Sequence, residues 1–206
     1  ATGSGKTFTA LCAIRKSLQE GEIPVVFVPG KELLAQWKEE LRSTNQDLEP
    51  KLLVCGGGNN EWRKEGLLRS WTRPKGDARI VLTTVQTATT PDFKKLLQDG
   101  EHLFFVGDEV HRMGSEKNRE ILSFDSGPRL GLSATPERFS DPEGTNALFN
   151  YFNGIVDPPY TLSDAIDDGR LTPYFYHVHK VKLKPHEQDQ WEEETRKISQ
   201  LYAQAH

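Results

Sequence analysis

Five short apolar runs, separated by stretches with helical spacing, set what this chain can fold into. Ile23–Val28 is the longest, and 52–54, 80–82, 103–106 and 130–132 repeat its character. Each is followed within two residues by glycine, threonine, aspartate or serine, so each reads as a strand that ends at a turn. Between them, Leu33, Leu34, Trp37 and Leu41 fall at helical spacing over 32–41. A further helix is expected over 61–71, stopped before Pro74, and a short one over 93–97. Strands this continuously apolar are buried on both faces, which predicts an α/β fold with a parallel sheet and helices on both sides. In such sheets ligands sit at the carboxyl ends of the strands. The residues just after each run are therefore the first place to look for chemistry.

The first seven residues carry a second constraint. Ala1-Thr2-Gly3-Ser4-Gly5-Lys6-Thr7 fits G-x-x-x-x-G-K-[ST] from its second position on, and runs straight into a helical pattern, Phe8 to Ile14. In a loop of this kind the backbone amides of Thr2, Gly3, Ser4 and Gly5 turn toward a phosphate, with the positive end of the helix dipole behind it. Lys6 is then expected to reach the β- and γ-phosphates of ATP, and Thr7 to place its hydroxyl on Mg²⁺. Such a loop normally follows a strand, so the sheet is expected to lack its first strand within these residues, and the chain to be part of a larger protein.

After 103–106 come Gly107, Asp108, Glu109, Val110 and His111. A carboxylate at the end of a buried strand is unfavourable unless a cation occupies the crevice, and Mg²⁺ supplies one. Asp108 is the candidate metal ligand. Glu109 beside it is the candidate base for an attacking water. Ser133, Ala134 and Thr135 end the next run.

Composition narrows the class. The chain has 206 residues, 35% apolar and 27% charged, with a mean hydropathy of −0.62, and no apolar run long enough to cross a bilayer. Two cysteines, Cys12 and Cys55, in apolar patterns point to a reducing, cytoplasmic compartment. A net charge of −4 excludes a uniformly basic coat, so any nucleic-acid contact must be local.

ATGSGKT, DEVH and SAT together resemble motifs I, II and III of superfamily 2 helicases and translocases, over most of residues 1 to 185. Residues 28–37, VPGKELLAQW, are similar to that family's motif Ia, and Thr83-Thr84-Val85-Gln86-Thr87 to its strand-contact motif. The stretch 131–138, with Asp141-Pro142-Glu143-Gly144 and Pro173-Tyr174-Phe175-Tyr176 downstream, resembles the branch containing restriction-enzyme motors of types I and III and the repair helicases of the xeroderma pigmentosum B type. The resemblance implies a RecA-like P-loop NTPase domain over 1–160. It implies an exit segment and linker helix over 161–206, leading to a second RecA-like domain that supplies arginine fingers. It also implies that His111 couples the γ-phosphate to the nucleic-acid site, and that Ser133 and Thr135 couple hydrolysis to strand movement, with hydroxyls able to bond the Asp108-Glu109 turn.

Pro29, Lys31, Gln36, Thr83, Thr84 and Gln86 are the candidate nucleic-acid contacts, suited to phosphate oxygens rather than bases. A basic and aromatic patch of Trp62, Arg63, Lys64, Arg69, Trp71, Arg73 and Lys75 is a weaker candidate, reading more simply as the buried stripe of an amphipathic helix. His177 and His179 alternate along an expected strand over 175–183, without a partner at ligand spacing. Residues 187–203 read as a linker helix. The function expected is the ATP-binding half of a motor acting on DNA, double-stranded before RNA. A DExH RNA helicase and a nucleotide-gated binding module without hydrolysis are the alternatives.

Overall fold

The computed structural model describes residues 5–45, 47–74 and 76–204, apart from the side chains of 65 and 202–204. Thr2, Gly3, Ser4 and Lys75 lie outside the described residues. The chain divides into two units, 1–171 and 172–206; α7 (Leu162–Asp167), a helix for which the sequence reading has no counterpart, lies in the first.

Within the first unit, all five apolar runs are strands: β1 (Ile23–Val28), β2 (Lys51–Cys55), β3 (Arg79–Thr84), β4 (Leu103–Asp108) and β5 (Arg129–Leu132). They form one parallel sheet in the order β2-β3-β1-β4-β5. β1 and β4 are buried along their whole length, which is why their sequences are apolar without alternation. The side chains still alternate in direction. Val25, Phe27 and Phe105 face one core with Trp62, Phe93, Phe124 and Tyr151. Val26, Val28 and Val106 face the other, under α1 (Lys6–Glu20) and α2 (Lys31–Thr44).

The register brings the carboxyl ends of the strands level: Val28 pairs with Thr84, Phe27 with Gly107, and Asp108 with Leu132. α1 ends at Gly21 (φ +83), and β1 starts two residues later at the opposite edge. Fifteen helical residues rise about 22 Å. That carries the start of α1 back across the sheet to the carboxyl edge.

The helix expected over 61–71 is broken. A 3-10 turn spans Glu61–Gly66 and α3 covers only Leu67–Trp71, because Gly66 sits at φ +67, outside helical geometry. Next along the chain are α4 (Val85–Ala88) and α5 (Pro91–Leu96), each started by a threonine cap. The long helix α6 (Pro142–Phe152) had no counterpart in the sequence reading. Its signal is Asp141 accepting from Gly144 N–H at 2.8 Å with Pro142 at the first helical position.

In the second unit, 173–184 carries no regular structure, so the strand expected over 175–183, and with it the alternation of His177 and His179, is not formed. A strand needs a neighbour to complete its ladder, and an isolated β-pattern is not stable in water. α8 (Pro185–Gln204) follows, with Trp191, Ile198 and Leu201 exposed.

Candidate active site

Gly5 caps α1 in the left-handed region, φ +80, which only glycine enters without strain. Its carbonyl accepts from both the amide and the hydroxyl of Thr9, at 2.9 and 3.2 Å. Lys6 and Thr7 follow in the first turn, half-buried. No acidic side chain lies in that turn. The positive end of the helix is thereby kept for an anion from outside.

Asp108 is the last residue of β4 and the one charged side chain in the buried class among the described residues, 8% exposed. Both its oxygens are engaged: Oδ1 accepts from Glu109 N–H at 2.9 Å and Oδ2 from the Trp37 indole N–H at 2.8 Å. The turn that follows is tight. A Cβ on Gly107 would meet Val110 Cγ1 at 2.6 Å and the end of Met113 at 3.0 Å, so any side chain here would force those neighbours to shift. Glu109 itself stands at φ +49, an uncommon conformation for a side chain of its type, and one that collects at functional sites.

From this turn a chain of polar contacts runs to the neighbouring strand. Glu109 Oε2 lies 3.3 Å from His111 Nδ1. The same nitrogen lies 3.1 Å from Ser133 Oγ, just past β5. The role of this nitrogen depends on the tautomer: carrying a proton it donates to the glutamate or to the serine, and without one it accepts from the Ser133 hydroxyl. The expectation for Ser133 and Thr135 is corrected in detail. Ser133 bonds His111 rather than the Asp108-Glu109 turn, and exposed Thr135 uses its backbone N–H, not its hydroxyl, to reach Ser133 Oγ at 3.1 Å.

His111 is also gripped from behind. Arg138 donates through Nη1 to the His111 carbonyl and through Nε to Asp141 Oδ2 at 2.7 Å, while its amide bonds Thr145 Oγ1 at 2.9 Å. The Gly144 N–H, and then the Arg138 side chain, hold the Asp141 carboxyl below its ordinary range. Arg138 and Trp37 are the members of this network that sequence reasoning did not single out as site residues. Trp37 is hidden within an apolar helical stripe. For Arg138 a signal exists, an arginine three residues before a capping aspartate.

The candidate nucleic-acid residues divide. Lys31, Gln36 and Gln86 are exposed and Pro29 half-exposed at this same edge, with Gln36 Nε2 donating to Glu40 at 2.7 Å. Thr83 and Thr84 are instead buried, 0% and 5% exposed. Thr83 Oγ1 donates to the Thr84 carbonyl at 3.3 Å, and Thr84 Oγ1 accepts from Thr87 N–H at 3.2 Å as the cap of α4. Their hydroxyls form the turn and are not displayed to a phosphate. The basic patch is likewise mostly structural: Trp62 is fully buried under the Arg63 guanidinium, 4.6 Å from the ring centre, and Arg69 bonds the Lys95 carbonyl.

A glycine-started helix and a buried aspartate followed by a half-exposed glutamate at one edge of a parallel sheet, joined to the next strand through a histidine, are the arrangement of a RecA-like P-loop domain. Residues 1–138 match the family described as "Type III restriction enzyme, res subunit", and the chain belongs to that family, as a first RecA-like domain of superfamily 2. It is 33% identical over 141 residues to a "Putative DNA 3'-5' helicase Rad25" of Halobacterium salinarum, and 30% identical over the same length to the protein of that name in Haloarcula marismortui. Each match covers 68% of this chain and 20% of the relative, so the chain spans about a fifth of the length of the curated relatives it matches. The fold is shared with a nuclease-deletion mutant of the type ISP restriction-modification enzyme LlaGI, solved in complex with a DNA substrate mimic, at a TM-score of 0.58 and 22% identity, covering 84% of this chain and 16% of that one.

Among the described residues no three metal-ligating side chains cluster, and no helix is long and apolar enough to cross a membrane. Mg²⁺ held mainly through nucleotide phosphates and water needs only one or two protein oxygens. Asp108, pinned with one lone-pair direction left on each oxygen, and Thr7 fit that demand.

Proposed function

We propose that this chain is the ATP-binding half of a nucleic-acid-dependent ATPase motor acting on double-stranded DNA, completed by a second RecA-like domain of the same protein. The observation that carries the proposal is the path from Glu109 through His111 Nδ1 to Ser133 Oγ, 3.3 and 3.1 Å. A simple nucleotide-binding turn has no use for such a switchable link between two strand ends. A motor has one.

The residues take these parts. Gly5 and the amides at the start of α1 hold the phosphates. Lys6 draws charge from the β- and γ-phosphates, and Thr7 and Asp108 hold Mg²⁺, which when bound neutralises charge on the leaving phosphates. Glu109 accepts the proton of the attacking water at Oε2 while His111 Nδ1 turns to Ser133. When His111 turns back to Glu109, the base is occupied. Ser133 and Thr135 sit on the strand end that feels this exchange. Pro29, Lys31, Gln36 and Gln86 face a strand without reading its sequence, as movement over any sequence requires. The names of the relatives, a DNA helicase and a restriction enzyme with a DNA mimic, support DNA before RNA.

The test is ATP turnover by the full-length protein with double-stranded DNA, single-stranded DNA or RNA added. Double-stranded DNA is expected to stimulate most, and Glu109→Gln to bind ATP·Mg²⁺ yet lose about 10² to 10⁴ in stimulated turnover. Stronger stimulation by RNA would overturn the DNA assignment. Turnover undiminished in Glu109→Gln would remove Glu109 as the base.

A further inference from the structure

Trp37 lies in the middle of α2, 1% exposed, in the same apolar stripe as Leu34 and Leu41. A buried indole N–H normally finds an acceptor, since leaving it unpaired is unfavourable. Trp37 has found the one buried carboxylate among the described residues. Its Nε1 donates to Asp108 Oδ2 at 2.8 Å, across 71 positions of sequence and from the helix packed over the sheet rather than from the turn that holds the acid. Trp62 shows that this is not a general habit of tryptophan here: equally buried, its Nε1 has no partner among the described residues.

The geometry of Asp108 gives the bond a task. The final torsion of an aspartate side chain is soft, so a carboxylate plane drifts unless both ends are tied. Glu109 N–H ties Oδ1 at 2.9 Å and Trp37 ties Oδ2 at 2.8 Å. The plane is thereby fixed, and one lone-pair direction on each oxygen stays open for a metal-bound water. We propose that Trp37 is a positioning residue for the metal: its indole N–H fixes the Asp108 carboxylate in the orientation that receives Mg²⁺. This rests on reading Asp108 as the metal ligand. Outer partners of ligating groups commonly contribute about 10- to 100-fold in metal affinity.

The experiment is a titration of Mn²⁺, a paramagnetic stand-in for Mg²⁺, into the ADP complex of the full-length protein, followed by electron paramagnetic resonance. Trp37→Phe keeps the ring in the core and loses the N–H. It should weaken Mn²⁺ binding about 10- to 100-fold and leave metal-free ADP binding as in the wild type. Leu41→Ala, also on α2 and 1% exposed, serves as the packing control: it should lower the melting temperature without moving Mn²⁺ affinity. Should Trp37→Phe not fold, benzothienylalanine at position 37 retains the bicyclic volume and replaces only the N–H by sulfur. Wild-type Mn²⁺ affinity in either Trp37 variant, or an equal loss in Leu41→Ala, overturns the proposal. Asp108→Asn separates the two levels: if it leaves Mn²⁺ affinity intact, the reading of Asp108 as ligand fails. If Asp108→Asn weakens the metal and the Trp37 variants do not, only the role of Trp37 fails.

Discussion

The carboxyl edge of the sheet is built in two ways. At the ends of β4 and β5 nearly every polar group is tied: Asp108 to Trp37 and Glu109 N–H, His111 to Glu109 and Ser133, and the His111 carbonyl to Arg138, itself tied to Asp141. At the ends of β1 and β3 the chain turns its hydroxyls inward at Thr83 and Thr84 and leaves Lys31, Gln36 and Gln86 outside. The difference follows from the work proposed for each half. Proton and metal chemistry needs groups held to within a fraction of an ångström, because a misplacement of about 1 Å can cost about 10²-fold in rate. Contact with a strand of any sequence needs reachable groups that let go again. Order at one half and reach at the other are two demands on a single edge.

If the tied half works by preorganisation, removing a tie remote from the reacting atoms must still slow the reaction. Arg138→Ala is expected to have the largest such effect, lowering kcat by up to about a hundredfold with little change in KM for ATP, measured as stimulated turnover of the full-length protein. Arg138→Lys keeps the charge but not the fork, and should recover only part of it. The same clamp predicts a pH dependence. Asp141 is held below its ordinary value by the Gly144 N–H and Arg138, so its folded pKa lies under its unfolded one. Its contribution to stability is therefore complete above the ordinary carboxylate range, and is lost as pH falls through the depressed folded value. Melting curves in acid should show a shallower loss in Asp141→Asn than in the wild type. An identical acid slope would mean that the clamp adds nothing.

A smaller effect is expected one link further along. Ser133→Ala removes the hydroxyl shared by His111 Nδ1 and Thr135 N–H. A neutral hydrogen bond contributes about 1 kcal/mol, or roughly fivefold, so nucleic-acid-stimulated kcat should fall by about that factor. Ser133→Thr, which restores a hydroxyl, should recover most of the loss. A full loss of stimulation would instead make Ser133 as central as Glu109.

Much of this was legible in the chain itself. Unalternating apolar runs fixed the parallel sheet, and the residues after them named Asp108, Glu109 and Ser133, because burial on both faces and ligands at strand ends are local rules. What escaped was set by distance. Trp37 and Asp108 meet only after α2 has crossed the sheet, and no spacing in the sequence records that meeting. The helix read over 61–71 failed at Gly66, where one left-handed residue outweighed a good apolar pattern. Thr83 and Thr84 misled for a related reason: threonine after a strand offers the same hydroxyl to a phosphate and to the helix that follows. The cap of α4 prevailed because the donor it satisfies, the Thr87 N–H, lies only three residues away.

That last point makes the open half testable, with the smallest effects expected. Lys31 is exposed at the first position of α2, and Lys31→Ala should weaken binding to all DNA sequences alike while lowering the slope of log affinity against log salt by about 0.9. Gln86→Ala removes a neutral contact, so it should weaken binding with the slope unchanged. Thr84→Ala should behave in the opposite way. Losing a cap costs about 1 kcal/mol of stability, and a buried hydroxyl offers nothing to a phosphate, so DNA affinity and salt slope should both stay as in the wild type. Filter-binding or anisotropy titrations at three salt concentrations, with a melting curve for each variant, distinguish these outcomes. A Thr84→Ala protein that melts normally but binds DNA poorly would show that the threonine turns outward when a strand arrives. The two halves of the edge would then differ in kind less than they do in this structure.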